Sequence, residues 1–239
     1  MKIHPICSTS LGALAPLLAT PSQAAIIAHV LPGNSDFDAW DDLTASNPQV
    51  SANGTFPTIA TVTAPWPEAI ASQVPGSGDA TFNKAAGGGY PAGANIYTGF
   101  ATGGSFVISD TTPVANLETV VVQLDIGQGS GDFLAGDPVL TINGSDVIPL
   151  FSSGLAGSGP RPGFGVPIEV GSFGYQWDLR GAGTVSSFEV TFTTDGTSST
   201  IWGAQLDQGD QFTAVPVPEP SSALLLPLAG LALLRRRRV

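Results

Sequence analysis

Across residues 25–217 the apolar residues never keep the 3.6-residue spacing of a helix long enough to organise a core. They come in short runs rich in valine, isoleucine, threonine and phenylalanine, each cut off by glycine, proline or an Asn-Gly or Asp-Gly pair. That punctuation confines the chain to an all-β fold. Residues 119–126 are β-branched and apolar on both faces and predict a central strand. Residues 139–142 and 146–151 flank Asn143-Gly144, the pair that best tolerates the two positive φ values of a type I′ hairpin turn. Residues 188–193 and 200–206 flank Asp195-Gly196 and predict a second hairpin, and a third loop of this kind is expected over residues 127–132. Further strands are expected over residues 58–62, 79–83, 104–109 and 174–179, with a first strand around His29 and a turn at Asn53-Gly54. Only two short helices are predicted. One spans residues 35–43, with Ser35 as N-cap and Phe37, Trp40 and Leu43 on one face. The other, over residues 67–74, starts on a proline. With 42% hydrophobic residues in a chain of 239 and no internal repeat, the expected body is one antiparallel β-sandwich or jelly roll over residues 25–214, with short peripheral helices.

The two ends read as addresses. Residues 1–24 carry Lys2, an apolar run over 6–19 and the small-residue site Ser22-Gln23-Ala24, the three parts of a secretory signal helix. Cleavage between Ala24 and Ala25 is expected, which makes the secretion translocon and signal peptidase partners. Residues 215–239 hold a proline-rich lead, an uncharged stretch over 221–234 and then Arg235, Arg236, Arg237 and Arg238. As a helix, the uncharged stretch would reach roughly 21 Å, short of a hydrocarbon core of about 30 Å. It suits a temporary transmembrane helix, with the arginines as its cytoplasmic stop. Val217, Pro218, Glu219, Pro220 and Ser221, followed by this helix and the arginine cluster, resemble the PEP-CTERM sorting signal of bacterial surface and exopolysaccharide-associated proteins. The resemblance covers about the last 22 residues. It implies processing by an exosortase-type membrane protease, with Pro218, Glu219 and Pro220 as the recognition element. It also implies a passage from transient inner-membrane anchoring to the envelope surface or the extracellular space. It implies nothing about the body.

Composition narrows what the body can do. Cys7, Met1 and His4 lie in the leader, so the exported chain has no thiol and one imidazole, His29. Disulfides and cysteine-based metal or nucleophile chemistry are thereby excluded. Eighteen acidic residues face only Lys84, Arg161 and Arg180 in the body, a net −15 that repels nucleic acid and attracts divalent cations. Nucleophilic catalysis would have to rest on His29 or Lys84, and no nucleophile motif accompanies either. Paired carboxylates for glycoside hydrolysis would come from Glu68, Glu118, Glu169, Glu189 and, if it is retained, Glu219, none of them in a distinguishing motif. The body is therefore expected to be non-enzymatic and without a cofactor.

Calcium is the one ion the pattern leaves open. Asn34, Asp36 and Asp38 alternate like the start of a calcium loop, although Ala39 and Ala45 stand where an EF-hand needs Gly and Glu. A capped acidic helix explains the same residues without metal. Tyr90 and Tyr97, in a glycine-rich stretch, are the expected exposed aromatic pair for sugar stacking, whereas Trp177 and Trp202 read as buried. The expected function is that of a secreted cell-surface or matrix protein associated with exopolysaccharide or biofilm. The alternatives are a calcium-dependent carbohydrate-binding adhesion module and, behind it, a glycoside-active hydrolase.

Overall fold

The computed structural model describes residues 26, 29–54, 63–162 and 166–215. The expected signal sequence, the expected sorting tail and the strand expected at residues 58–62 lie outside them. Among the described residues there are thirteen strands and one helical turn: β1 Ser35–Trp40, α1 Pro48–Ser51, β2 Ile70–Ala71, β3 Thr81–Gly87, β4 Tyr90–Pro91, β5 Ile96–Tyr97, β6 Gly104–Asp110, β7 Thr119–Gly127, β8 Val139–Ile142, β9 Asp146–Ile148, β10 Leu150–Pro162, β11 Pro167–Asp178, β12 Phe188–Thr193 and β13 Thr200–Gly209. They form two antiparallel sheets. The larger runs β10-β11-β7-β13, with β1 and the β5-β4 pair both on the far side of β13; the smaller runs β2-β3-β6-β12-β8-β9.

One apolar cluster fills the space between the inner faces. Val120, Val122, Leu124 and Ile126 of β7 meet Phe106 and Ile108 of β6, Val190 and Phe192 of β12, and Phe82 of β3. Alternation drives this: β6 buries Gly104, Phe106, Ile108 and Asp110 and leaves the residues between them half-exposed. β7 is buried on both faces throughout, because the outer side of its sheet is polar yet covered.

The Asn143-Gly144 hairpin forms as expected. β8 pairs β9, and the two turn residues have φ of 50° and 80°. The Asp195-Gly196 expectation fails, because β12 lies in the smaller sheet and β13 in the larger, so the turn passes the chain between sheets. The loop over 127–132 is a crossing of the same kind, from β7 to β8. Turn chemistry specifies local reversal of the chain, and it leaves open which strand the chain then pairs with.

Both expected helices are overturned. Residues 35–40 form β1, in unbroken register with β13 from Ser35↔Gly209 to Trp40↔Ala204. Phe37, Trp40 and Leu43 fit a helical stripe, yet a helix of two turns is marginal on its own, and pairing with β13 gives this backbone its partners. With period two, Asp36, Asp38 and Trp40 share one face. Residues 67–74 are bends that close on β2. His29 lies outside any strand. A helical turn falls instead at Pro48–Ser51, capped by the Asn47 side chain accepting from the Gln49 amide, with proline in the first turn.

Candidate functional site

The residues expected to form a sorting signal, Val217, Pro218, Glu219, Pro220 and Ser221, the arginines 235–238 and the expected Ala24–Ala25 cleavage site all lie outside the described residues. The root of the tail lies within them. After β13 the chain is held against the larger sheet: the Phe212 amide donates to Glu118 Oε2 at 3.1 Å, and the Phe212 ring packs edge-on to Phe151, with centroids 4.9 Å apart, and under the Arg180 guanidinium at 4.2 Å. Gln176, fully buried on β11, grips the next residues at both ends of its amide. Its Nε2 donates to the Thr213 carbonyl at 2.7 Å, and its Oε1 accepts from the Val215 amide at 2.9 Å. Sequence reasoning missed Gln176, since a glutamine between Tyr175 and Trp177 has the same local pattern whether it faces water or a docked strand.

Tyr90 and Tyr97 do come together. They are opposite one another in the β4–β5 pair, both half-buried, with ring centroids 5.6 Å apart at 81°. That is an edge-to-face pair, so it offers a single ring face rather than a two-ring platform. The Tyr97 hydroxyl is hydrogen-bonded to Ser198 at 3.0 Å. Trp177 is fully buried as expected, whereas Trp202 is only partly buried, at a bulge where the β13 register with β7 shifts.

A site that sequence did not suggest lies where the β7–β8 connection packs against β11 through Phe133 and Phe173. Asp132, Phe133, Leu134, Gly136, Asp137, Phe173 and Tyr175 line an open depression of about 410 Å³. Phe133 and Phe173 pack edge-to-face at 5.1 Å on its floor. Asp132 and Asp137 are exposed at its rim, and Asp137 faces the buried Tyr175 hydroxyl, whose pKa is pushed up by burial and by that carboxylate. Aromatic faces beside paired acceptors are suited to a polyhydroxylated ligand. No local motif marks the place, because its two halves are nearly forty residues apart in sequence.

The outer face of the larger sheet carries a second polar group. Asp125 accepts from Arg161 at 2.7 Å and from the Ser172 hydroxyl, while the Arg161 guanidinium lies 5.3 Å from the Trp202 ring centre. Burial raises the Asp125 pKa against the opposing pull of Ser172 and Arg161. Arg161 comes from the far end of the long β10–β11 hairpin, so this cluster pins that arm over the sheet.

Of the groups weighed for catalysis, Lys84 is fully buried and donates to the Gly89 carbonyl at 2.7 Å, 5.8 Å from the Trp66 ring centre; burial lowers its pKa to about 8. Glu118 is occupied by the Phe212 amide.

Asn34, Asp36 and Asp38 are divided. Asn34 is tied to Asp210, to which its backbone amide and side-chain Nδ2 donate at 2.8 and 2.7 Å. Asp36 and Asp38, within β1, converge instead on Gly78. Among the described residues no three acidic or imidazole side chains stand close enough to make a metal shell by themselves. No protein-family model, curated protein or solved structure matches the chain.

Proposed function

We propose that this chain is an exported, non-enzymatic surface or matrix protein, a jelly-roll body delivered by its leader and sorted by its PEP-CTERM-like tail. The observation that carries the reading is the docked root at Phe212–Val215. The body ends in a clamp formed by Gln176, Glu118 and Arg180, and the sorting residues begin immediately beyond it. A body anchored in this way can be passed from one side of a cleavage point without being disturbed. Strand order supports the jelly-roll description. Setting aside β2–β5 and β10, eight strands fall four to a sheet, as β1-β13-β7-β11 and β6-β12-β8-β9. The net −15 of the body fits a soluble surface outside the cell.

The test is the C-terminal mass of the protein recovered from the surface of its native host. The expected form lacks Arg235 to Arg238. Alanine at Pro218, Glu219 and Pro220 should leave the arginines in place and the protein in the membrane fraction. A surface form that still carries the arginines overturns the sorting reading and leaves a plain membrane anchor.

A second reading, carbohydrate adhesion, is favoured by the depression at Phe133, Phe173 and Asp137. On that reading Asp137→Asn lowers glycan affinity roughly 10- to 100-fold, the loss of one charge-assisted hydrogen bond. Binding on an array of acidic and neutral glycans reads this out, and wild-type protein that retains no glycan removes the reading.

A further inference from the structure

The end of the sandwich where β1 meets the loop before β3 holds a buried group that the sorting reading does not use. Asp38 is fully buried, and neither of its carboxylate oxygens has a hydrogen-bond partner. A buried carboxylate in that state is costly unless something compensates it. Ser72 and the Ala80 amide lean toward it, too poorly placed to bond, and the Ser72 hydroxyl already interacts with the Ala39 backbone.

Other acids surround it. Asp36, two residues earlier on the same face, uses Oδ1 to accept from the Phe37 amide, and its Oδ2 converges with Asp38 on Gly78. A Cβ at Gly78 would run into Asp36 Oδ2 and stand 2.9 Å from Asp38 Oδ2. The loop is held there by the Gly78 amide, which donates to the Phe37 carbonyl at 2.9 Å. From the opposite sheet Asp110 adds its charge; its oxygens accept from Gln208 at 2.6 Å and from the Thr112 amide at 2.7 Å. Gln208 in turn is the cross-strand neighbour of Asp36. Asp79, next to Gly78, is held by the Thr112 hydroxyl. The two ion pairs among the described residues, Arg161–Asp125 and Arg180–Asp178, involve none of these acids.

We propose that Asp36 and Asp38 bind a divalent cation, calcium by its chemistry, where their carboxylates converge beside the Gly78 loop. The donors are all hard oxygens, which excludes the softer metals. Two carboxylates leave several positions for carbonyl oxygens and water, and calcium takes six to eight oxygens in flexible geometry. Lacking a third carboxylate ligand, the site belongs with weak extracellular calcium sites, with Kd on the order of 0.1–1 mM. Its work is structural: it neutralises a buried carboxylate left without a hydrogen-bond partner and ties β1, which lies alongside β13, to the loop over 72–80. This inference is independent of how the tail is processed.

The test uses the full chain in detergent, stripped with chelator and then titrated with calcium or terbium. Trp40 lies two residues beyond Asp38 on the same face, about 7 Å along the strand, close enough to sensitise terbium emission. The expected result is saturable terbium emission excited through tryptophan and displaced by calcium. In 10 mM calcium Tm should rise by roughly 3–10 °C. Asp38→Asn should abolish both responses, and Asp36→Asn should weaken terbium binding at least tenfold. Since Asp38→Asn removes a buried charge, it should fold without calcium, so the loss of response remains readable. Wild type with no calcium-dependent Tm, or terbium binding that survives Asp36→Asn and Asp38→Asn together, overturns the proposal.

Discussion

Replacing Phe82 by alanine is expected to cost about 3–5 kcal/mol of folding stability. Phe82 is fully buried and is the hub of the aromatic cluster. Its ring lies 5.7 Å from Phe106 and 6.2 Å from Phe192, both stacked, 6.0 Å from Trp66 edge-on, and 5.9 Å from Trp40. These partners belong to both sheets and to the segment before β3, so truncation opens a cavity that no single neighbour can close. The aromatic contacts add about 0.5–1.5 kcal/mol per pair beyond area burial. For a domain whose total stability is of the order of 5–15 kcal/mol, the variant should be near the limit of folding. Urea titration checks this: the midpoint should fall sharply with the slope unchanged. Phe82→Leu, which retains most of the volume, should lose less than half as much. An alanine variant within 1 kcal/mol of wild type would mean that the core does not close around this ring.

Stability of the calcium-free protein is expected to fall as pH rises from about 4 to about 7, opposite to the usual acid-denaturation trend. The principal group is Asp207, almost fully buried on the outer face of the larger sheet. Burial is the largest influence on it and raises its pKa to about 7. Hydrogen bonds from Gln205, at 3.0 Å to both oxygens, from the His29 backbone and from Gln123 pull the other way, and the Asp38 charge adds to the rise. Because the folded pKa lies above the unfolded value near 3.9, the native state holds the proton more tightly. Its contribution is therefore complete below about pH 4 and is lost as pH climbs through 7. Three pH units of difference correspond to about 4 kcal/mol. Asp38, whose pKa is raised to about 6 by burial and by Asp36 and Asp110, acts in the same direction.

The measurement compares wild type with Asp207→Asn by urea titration at several pH values. The difference should shift against wild type by about 4 kcal/mol between pH 4 and 8 and then level off. A difference that does not change with pH would show that Asp207 is ionised in the fold as readily as in the open chain. Calcium should remove the Asp38 part of the slope and leave the Asp207 part.

How much of the molecule could be read in advance differs from element to element. Strands β7, β8 and β12 were visible because a β-branched run or strict alternation records, residue by residue, which faces are covered. The Asn143-Gly144 turn was visible because positive φ is a local demand with a local solution. At residues 35–43 the same reasoning failed. Phe37, Trp40 and Leu43 satisfy a helical spacing while Asp36, Asp38 and Trp40 satisfy a strand spacing, and only the presence of β13 alongside decides between them. The residues singled out at Asn34, Asp36 and Asp38 were sorted by the same event: Asp36 and Asp38 fall on one face of β1, while Asn34, which precedes the strand, is held by Asp210.

Sequence by itself therefore determined the class of the body, an antiparallel all-β unit with almost no reactive side chains, because backbone preference and composition are local properties. The expectation of a leader and a sorting pattern also comes from the sequence alone, since such signals are read as linear strings. Only the tertiary structure decided which sheet each strand joins, that Gln176 and Glu118 hold the root of the tail, and that the Asp38 carboxylate faces Asp36 and Asp110. Those outcomes depend on contacts between residues far apart in the chain. Whether a polar group is satisfied depends on what the fold places beside it, and no neighbour in sequence records that.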